Sequence, residues 1–226
     1  VLEQLGLLKK TDEGKVYDLF RGRLIFPIGR SDGAPIAFGG RILEKKENAP
    51  KYINSPETEI YQKRQTLYGV SQALGLLRST RHAYLVEGYM DVISMYQVGL
   101  ENTLATCGTA INDDHARLLK RFCDKRTVVF DGDEAGRKAA AKCFEVFLNS
   151  NIEVQAVLLP AGEDPDSLSQ KYQKEELEKF FAEQQKPIVA VYIEQLLGEG
   201  EASAVQQGKI AKRFVQTLTQ VQNSVE

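Results

Sequence analysis

The chain is poor in the residues that build several familiar kinds of site. Its 226 residues include three cysteines, two histidines and no tryptophan. Cys107, Cys123 and Cys143 are separated singletons with no Cys-x-x-Cys pair, which argues against a structural zinc site or a disulfide framework and fits a reducing compartment. His82 and His115 have no sequence-local acid or nucleophile arranged as a triad, so surface or strand-edge roles are expected of them. No run approaches the ~18 apolar residues of a membrane span, and no basic segment followed by an apolar stretch opens the chain. The expectation is a soluble cytoplasmic protein with no membrane partner. Repeats and low-complexity tracts are also lacking.

A strong overall charge is missing too, since the formal net charge is -2. The average hides a gradient: residues 1–79 carry 13 basic against 9 acidic side chains, and residues 80–170 carry 9 against 14. An acidic middle beside a basic first third suits a metal centre next to a surface that grips a phosphate backbone. The first residue is Val1, already inside an apolar pattern of Leu2, Leu5, Leu7 and Leu8, so the chain reads as a fragment of a longer protein.

What is present is a series of short apolar runs that end in carboxylates. Ala83-Tyr84-Leu85-Val86 runs into Glu87-Gly88, and Thr127-Val128-Val129-Phe130 runs into Asp131-Gly132-Asp133. A third run, Val154 to Leu159, leads to Asp164-Pro165-Asp166. Between them lie helical patterns, Tyr89 to Val98 closed by Gly99, a second headed by Asn112, and a third from Gly136 to Leu148. Strands alternating with helices predict a parallel sheet of right-handed βαβ units, whose ligands sit at the carboxyl ends of the strands.

Upstream, Leu24 to Ile28 and Pro35 to Phe38 flank Asp32-Gly33 and predict a hairpin. Ser55-Pro56 reads as the cap and first residue of a helical turn, and a further helix is expected from Val70 to before Arg81. Residues 171–226 read as helices, the last carrying Ile210, Phe214, Leu218 and Val221 on one stripe.

Carboxylates brought to one sheet edge repel one another and resist ionising side by side, which a divalent cation relieves. Glu87, Asp131, Asp133, Asp164 and Asp166 form an oxygen-only donor set suited to Mg²⁺ or Mn²⁺. Asp91, in the first turn of the helix after Glu87, either sits near the metal or favours the helix dipole.

Leu85-Val86-Glu87-Gly88-Tyr89-Met90-Asp91, Phe130-Asp131-Gly132-Asp133-Glu134-Ala135-Gly136-Arg137 and Gly162-Glu163-Asp164-Pro165-Asp166 together resemble the Toprim domain of bacterial DnaG-type DNA primases. Phe20-Arg21-Gly22-Arg23, Phe26-Pro27-Ile28, Phe38-Gly39-Gly40-Arg41 and Lys51-Tyr52-Ile53-Asn54-Ser55-Pro56-Glu57-Thr58 resemble the basic amino-terminal part of the same polymerase core. The resemblance implies an α/β fold: a basic mixed α+β subdomain over 1–79, a Toprim domain with a parallel-rich sheet flanked by helices over 80–170, and a helical bundle over 171–226. It implies template-directed synthesis of short RNA primers on single-stranded DNA from ribonucleoside triphosphates during replication. Glu87, Asp131 and Asp133 match the family's acidic metal positions, with Asp91, Asp164 and Asp166 as supporting acids. Arg21, Arg23, Arg41, Lys51, Asn54 and Lys63 match the set that contacts template and incoming nucleotide. The family usually carries an amino-terminal zinc module and a carboxyl-terminal module that binds the replicative helicase; neither pattern occurs in these residues.

Two other readings use the same acids. A Toprim-type nuclease, or a phosphatase, would cleave rather than join; the dehalogenase-like phosphatases, which also begin with Asp-x-Asp, want Thr or Val where Ala135 stands. A non-enzymatic Toprim adaptor would bind nucleic acid and tolerate losing its carboxylates.

Overall fold

The computed structural model describes residues 2–44 and 49–197, together with eight residues between 208 and 219. A two-stranded ribbon, β1 (Leu8–Lys10) and β2 (Val16–Asp18), comes first. The predicted hairpin follows as β3 (Arg23–Gly29) and β4 (Pro35–Ile42), turned by Gly33 at φ +86° and by Asp32, whose carboxylate accepts the Ala34 amide at 3.0 Å. β5 (Tyr52–Asn54) pairs antiparallel on the far side of β4, giving a three-stranded sheet.

Ser55 caps no helix. It is buried, and its hydroxyl accepts the Phe38 amide at 3.0 Å, which holds the chain extended beside β4. The tertiary bond outcompetes the local cap that the Ser-Pro pair advertises. A single 3-10 turn at Lys63–Gln65 then leads into the main sheet.

That sheet is built from β6 (Leu67–Tyr68), β7 (His82–Val86), β8 (Thr103–Thr106), β9 (Lys125–Phe130), β10 (Gln155–Leu158) and β11 (Lys186–Pro187), in the order β11-β10-β9-β7-β8-β6. The four central strands are parallel and the two edges antiparallel. The crossovers run through α2 (Tyr89–Gln97), α3 (Asp113–Phe122) and α4 (Glu134–Asn149), with α1 (Val70–Thr80) before β7. From β7 the chain goes to β8 on one side and then to β9 on the other, so the topological switch point falls between β7 and β9.

Because helices cover both faces, the central strands bury successive residues rather than alternate ones. Ala83, Leu85, Val128, Phe130 and Ala156 pack with residues of α1, α3, α4 and α7 (Ile188–Leu197). Tyr84, Val86, Ala105, Val129 and Val157 pack with α2, α5 (Pro165–Lys171) and α6 (Lys174–Gln184). Each such aliphatic side chain removed from water contributes about 1.5–3 kcal/mol. A third cluster, Phe26, Ile28, Ala37, Tyr61, Tyr89 and Cys107, joins the three-stranded sheet to the start of α2 and the end of β8.

The sheet draws on residues beyond the expected segment boundaries. Its outer strand β6 and the helix α1 come from residues 67–80, and β11 interrupts a stretch expected to be wholly helical. Two-residue edge strands leave no periodic signal; their partner strands decide them. In the tail, Phe214 stacks 6.4 Å from Phe144, whereas Leu218 and Val221 lie outside the described residues. His115 is fully buried: Asn112, the cap of α3, and the Lys63 carbonyl engage its two ring nitrogens, so it is a core residue rather than a surface one. Among the described residues no helix is long and apolar enough to cross a membrane.

Candidate metal centre and nucleic-acid interface

Parallel pairing of β7 with β9 and of β9 with β10 brings the carboxyl ends of these strands to one rim, where Glu87 follows Val86 and Asp131 follows Phe130. The loop after β10 is drawn against Gly132, whose amide donates to the Glu163 carbonyl at 3.1 Å. A Cβ on Gly132 would lie 1.8 Å from the Pro160 carbonyl oxygen, so only glycine permits this approach. The two aspartate-bearing loops are thereby locked side by side.

Around this rim lies a cleft of about 460 Å³, lined on one wall by Glu87, Asp91, Asp131, Asp164 and Asp166 and on the other by Arg41, Lys51, Tyr52 and Asn54. Three acids are anchored by helix starts: Asp91 accepts the Gly88 amide at 2.9 Å, Asp133 caps α4 through Gly136 at 2.7 Å, and Asp164 caps α5 through Ser167 at 2.7 Å. Asp166 accepts the Ser94 hydroxyl. Glu87 is exposed at the rim, and the buried Oδ1 of Asp131 has no hydrogen-bond partner among the described residues.

The electrostatics follow from that crowding. Burial first, then the charges of Asp131 and Asp133, push the Glu87 carboxyl above its ordinary value. Burial followed by Asp164 and Asp133 does the same to Asp131. Burial raises Asp91 to about 7, with Asp131, Asp164 and Asp166 adding to the shift against the Gly88 hydrogen bond. Three of the rim carboxyls are thus held above their ordinary values by burial and by the charges of neighbouring acids.

The basic wall is only partly as expected. The guanidinium of Arg41 and the ammonium of Lys51 lie 5.9 and 5.8 Å from the Tyr52 ring, flanking it at the cleft. Asn54 lines the cleft, yet its amide is engaged at both ends: it donates to the Cys107 carbonyl at 2.8 Å and accepts the Tyr89 hydroxyl at 2.7 Å. Arg23, Arg21 and Lys63 stand outside the cleft lining. Arg23 donates to the carbonyls of Gly40, Pro50 and Lys51, Arg21 lies over the Tyr17 ring at 4.4 Å, and Lys63 sits in the 3-10 turn. Asp133 also lies outside the lining, although its charge reaches Glu87 and Asp131.

Comparison with known proteins is decisive at this point. The family described as "DNA primase catalytic core, N-terminal domain" matches residues 1–74, and the Toprim-like family matches residues 84–169. A DNA primase of Pseudomonas aeruginosa is 40% identical over 203 residues, covering 88% of this chain and 30% of the relative; one of Legionella pneumophila is 45% identical over 166 residues, covering 72% and 29%. A crystal structure of a DNA primase domain from Pseudomonas aeruginosa superposes with a TM-score of 0.89 at 39% identity, covering 96% of this chain and 69% of that one. A DnaG primase catalytic domain bound to single-stranded DNA gives 0.85 at 35% identity, covering 97% and 71%. The chain belongs to the DNA primase catalytic-core family. It spans about 30% of the length of the curated primases it matches.

In this primase-family chain the rim fits a hard divalent cation in donor chemistry: it offers oxygen only, its carboxylates are mutually repelling, and one buried oxygen lacks any partner. It is not a ready-made cage, since among the described residues no three acidic, histidine or cysteine side chains already converge on one ion position.

Sequence reasoning missed the role of Tyr89. Tyr89 is buried, stacks on Phe26 at 5.0 Å and 9°, and ties α2 to β5 through Asn54. Its ring leaves no room for a side chain at Gly39, where a Cβ would lie 2.7 Å away. The pairing of Gly39-Gly40 with a tyrosine next to the rim glycine was the available signal.

Proposed function

We propose that the chain is the catalytic core of a replication primase, joining ribonucleoside triphosphates into short RNA primers on a single-stranded DNA template by metal-dependent nucleotidyl transfer. The observation that carries this reading is the cleft itself, with Glu87, Asp91, Asp131, Asp164 and Asp166 on one wall and Arg41 and Lys51 on the other. Attack of a 3′-hydroxyl on an α-phosphate needs cations for the acids and fixed positive charge for the departing pyrophosphate, and the two walls offer both.

In this reading Glu87 and Asp131 hold Mg²⁺ or Mn²⁺, with Asp133, Asp91, Asp164 and Asp166 in support. When bound, the cation lowers the pKa of the attacking hydroxyl and neutralises charge developing on phosphate. Arg41 and Lys51 orient the triphosphate, and Tyr52 flanks them as an aromatic face. Asn54 acts by positioning, because its amide is spent on Tyr89 and Cys107. Arg23 braces the β4–β5 connection from which Lys51 projects, while Arg21 and Lys63 meet the template backbone away from the cleft. The basic segment 1–79 grips nucleic acid, 80–170 carries the metal chemistry and 171–226 completes the helical side, in the cytoplasm at the bacterial replication fork. Contact with the replicative helicase is assigned to a segment other than these residues.

The adaptor reading gains from the absence of three converged ligands among the described residues. Incubation with single-stranded DNA, ribonucleotides and Mn²⁺ separates the readings. Primer synthesis is expected from the native chain, with at least 100-fold loss in Asp131→Asn and Glu87→Gln and an unchanged fold by circular dichroism. Hydrolysis of the DNA without RNA synthesis would favour the nuclease; nucleic-acid binding without either reaction, unaltered by both substitutions, would favour the adaptor.

A further inference from the structure

Helix α2 carries a buried hydroxyl that the proposed chemistry leaves unassigned. Ser94 is 6% exposed and lies three residues after Asp91, on the same face of the helix. A serine inside a helix commonly turns its hydroxyl back to a carbonyl of the preceding turn. Ser94 instead donates across a helix interface, to Oδ1 of Asp166 in the first turn of α5. The two helices pack against each other, Val92 and Met95 of α2 sharing an apolar cluster with Leu168 of α5.

Asp166 stands between two compartments. On one side is the cleft of acids and cations; on the other is a pocket of about 240 Å³ lined by Ser94, Gln97, Ser169, Gln170 and Gln173. The amide and hydroxyl groups of that pocket offer a carboxylate hydrogen bonds of their own. The cap of α5 is Asp164, which takes the Ser167 amide, so Asp166 is left to be fixed from outside its helix. The Ser94 bond does this: it spends Oδ1 and leaves Oδ2 to the cleft. The charge of Asp166 is felt there. Burial, opposed by Arg41, and then the charges of Asp91 and Asp166 raise the Tyr52 hydroxyl above its ordinary value.

We propose that Ser94 is a positioning residue that holds the Asp166 carboxylate at the cleft wall and so strengthens the grip of the acid rim on a divalent cation. The proposal rests on the reading of the cleft as a cation site and adds a group that acts on it only through another side chain. A carboxylate oriented beforehand by the protein loses less freedom when a cation arrives, which is why hydrogen bonds behind metal ligands matter to affinity. One face of α2 then orders two acids of the rim, Asp91 through the Gly88 amide and Asp166 through Ser94.

Electron paramagnetic resonance titration with Mn²⁺, on the full chain and on Ser94→Ala, Asp166→Asn and the double variant, tests this. Alanine is a better helix former than serine, so α2 is retained, which circular dichroism checks. Ser94→Ala and Asp166→Asn are each expected to weaken Mn²⁺ binding about tenfold, and the double variant to bind no more than about twofold more weakly than Asp166→Asn alone. A serine with a merely structural role would give losses that multiply in the double variant, and that result would overturn the proposal. Native affinity in Ser94→Ala, or in Asp166→Asn, would overturn it too. In each of these cases the native chain still binds Mn²⁺ and the cation site stands. Failure of the native chain to bind Mn²⁺ would bring down the reading of the cleft and the role of Ser94 with it. If Ser94→Ala unfolds, Ser94→Cys, close in shape but a weak donor, takes its place with the same expected and contrary outcomes.

Discussion

The two rims of the central sheet obey opposite rules. At the amino ends of β7 and β9 the polar groups pair with one another, apart from the buried Nε of Arg126. His82 Nε2 and the Thr127 hydroxyl are 2.9 Å apart, Asn102 donates to the His82 carbonyl at 2.8 Å, and Arg81 pairs with Asp124 at 2.8 Å while also donating to Phe122. At the carboxyl ends, one buried oxygen of Asp131 lacks a partner among the described residues, and the carboxyls of Glu87, Asp91 and Asp131 sit above their ordinary pKa values because burial and neighbouring acid charges oppose ionisation. One rim closes the sheet; the other stores unsatisfied charge for a ligand to relieve. The lesson is that the stability of this fold and its chemistry occupy opposite ends of the same strands.

The contrast is sharpest in its response to pH. A carboxyl raised in the folded state contributes its full stability below its unfolded pKa and loses it as pH rises through the folded value. For Asp91 that window runs from 3.8 to about 7. Asp91→Asn mimics the protonated form and keeps an acceptor for Gly88. In metal-free protein it should therefore raise stability at pH 8 by on the order of 4 kcal/mol, a gain that fades toward pH 4. Thermal melts across that range check it; a variant less stable than native at pH 8 would break the contrast.

His82 should behave in the reverse sense. Burial, then the charge of Lys125, lowers it to about 4, so its contribution is full above 6.5 and is lost as pH falls from 6.5 to about 4. His82→Gln retains a partner for Thr127 and should flatten that acid-side loss by on the order of 3 kcal/mol in denaturant titrations. Parallel curves for native and variant would show that His82 is not part of the matched rim. The smallest effect is expected at Arg81→Ala. The pair with Asp124 is exposed, so its loss should shift stability least of the three and should shrink further in high salt.

Much of this architecture could be read from the chain. The apolar runs that end in acids are the central strands, the hairpin forms around Asp32-Gly33, and α1 spans Val70–Thr80 within the expected limits. The acids also meet at one rim, because parallel pairing aligns strand ends whatever lies between them. What escaped depends on partners distant in sequence. Ser55 answers to Phe38 rather than to a following helix, and Asn54 is bound by Tyr89 and Cys107, the latter 53 residues away. β6 and β11 exist only because a longer strand offers an edge. Arginine gives least away, since Arg23 braces backbone and Arg41 faces the cleft with similar local sequence around each.

The claim on which the functional reading stands is that the carboxylates of separate strand ends jointly hold a divalent cation. Electron paramagnetic resonance titration with Mn²⁺ measures this without any substrate. The native chain is expected to bind Mn²⁺ with an affinity that falls at least tenfold in both Glu87→Gln and Asp131→Asn. Unaltered Mn²⁺ affinity in either variant would contradict a shared site.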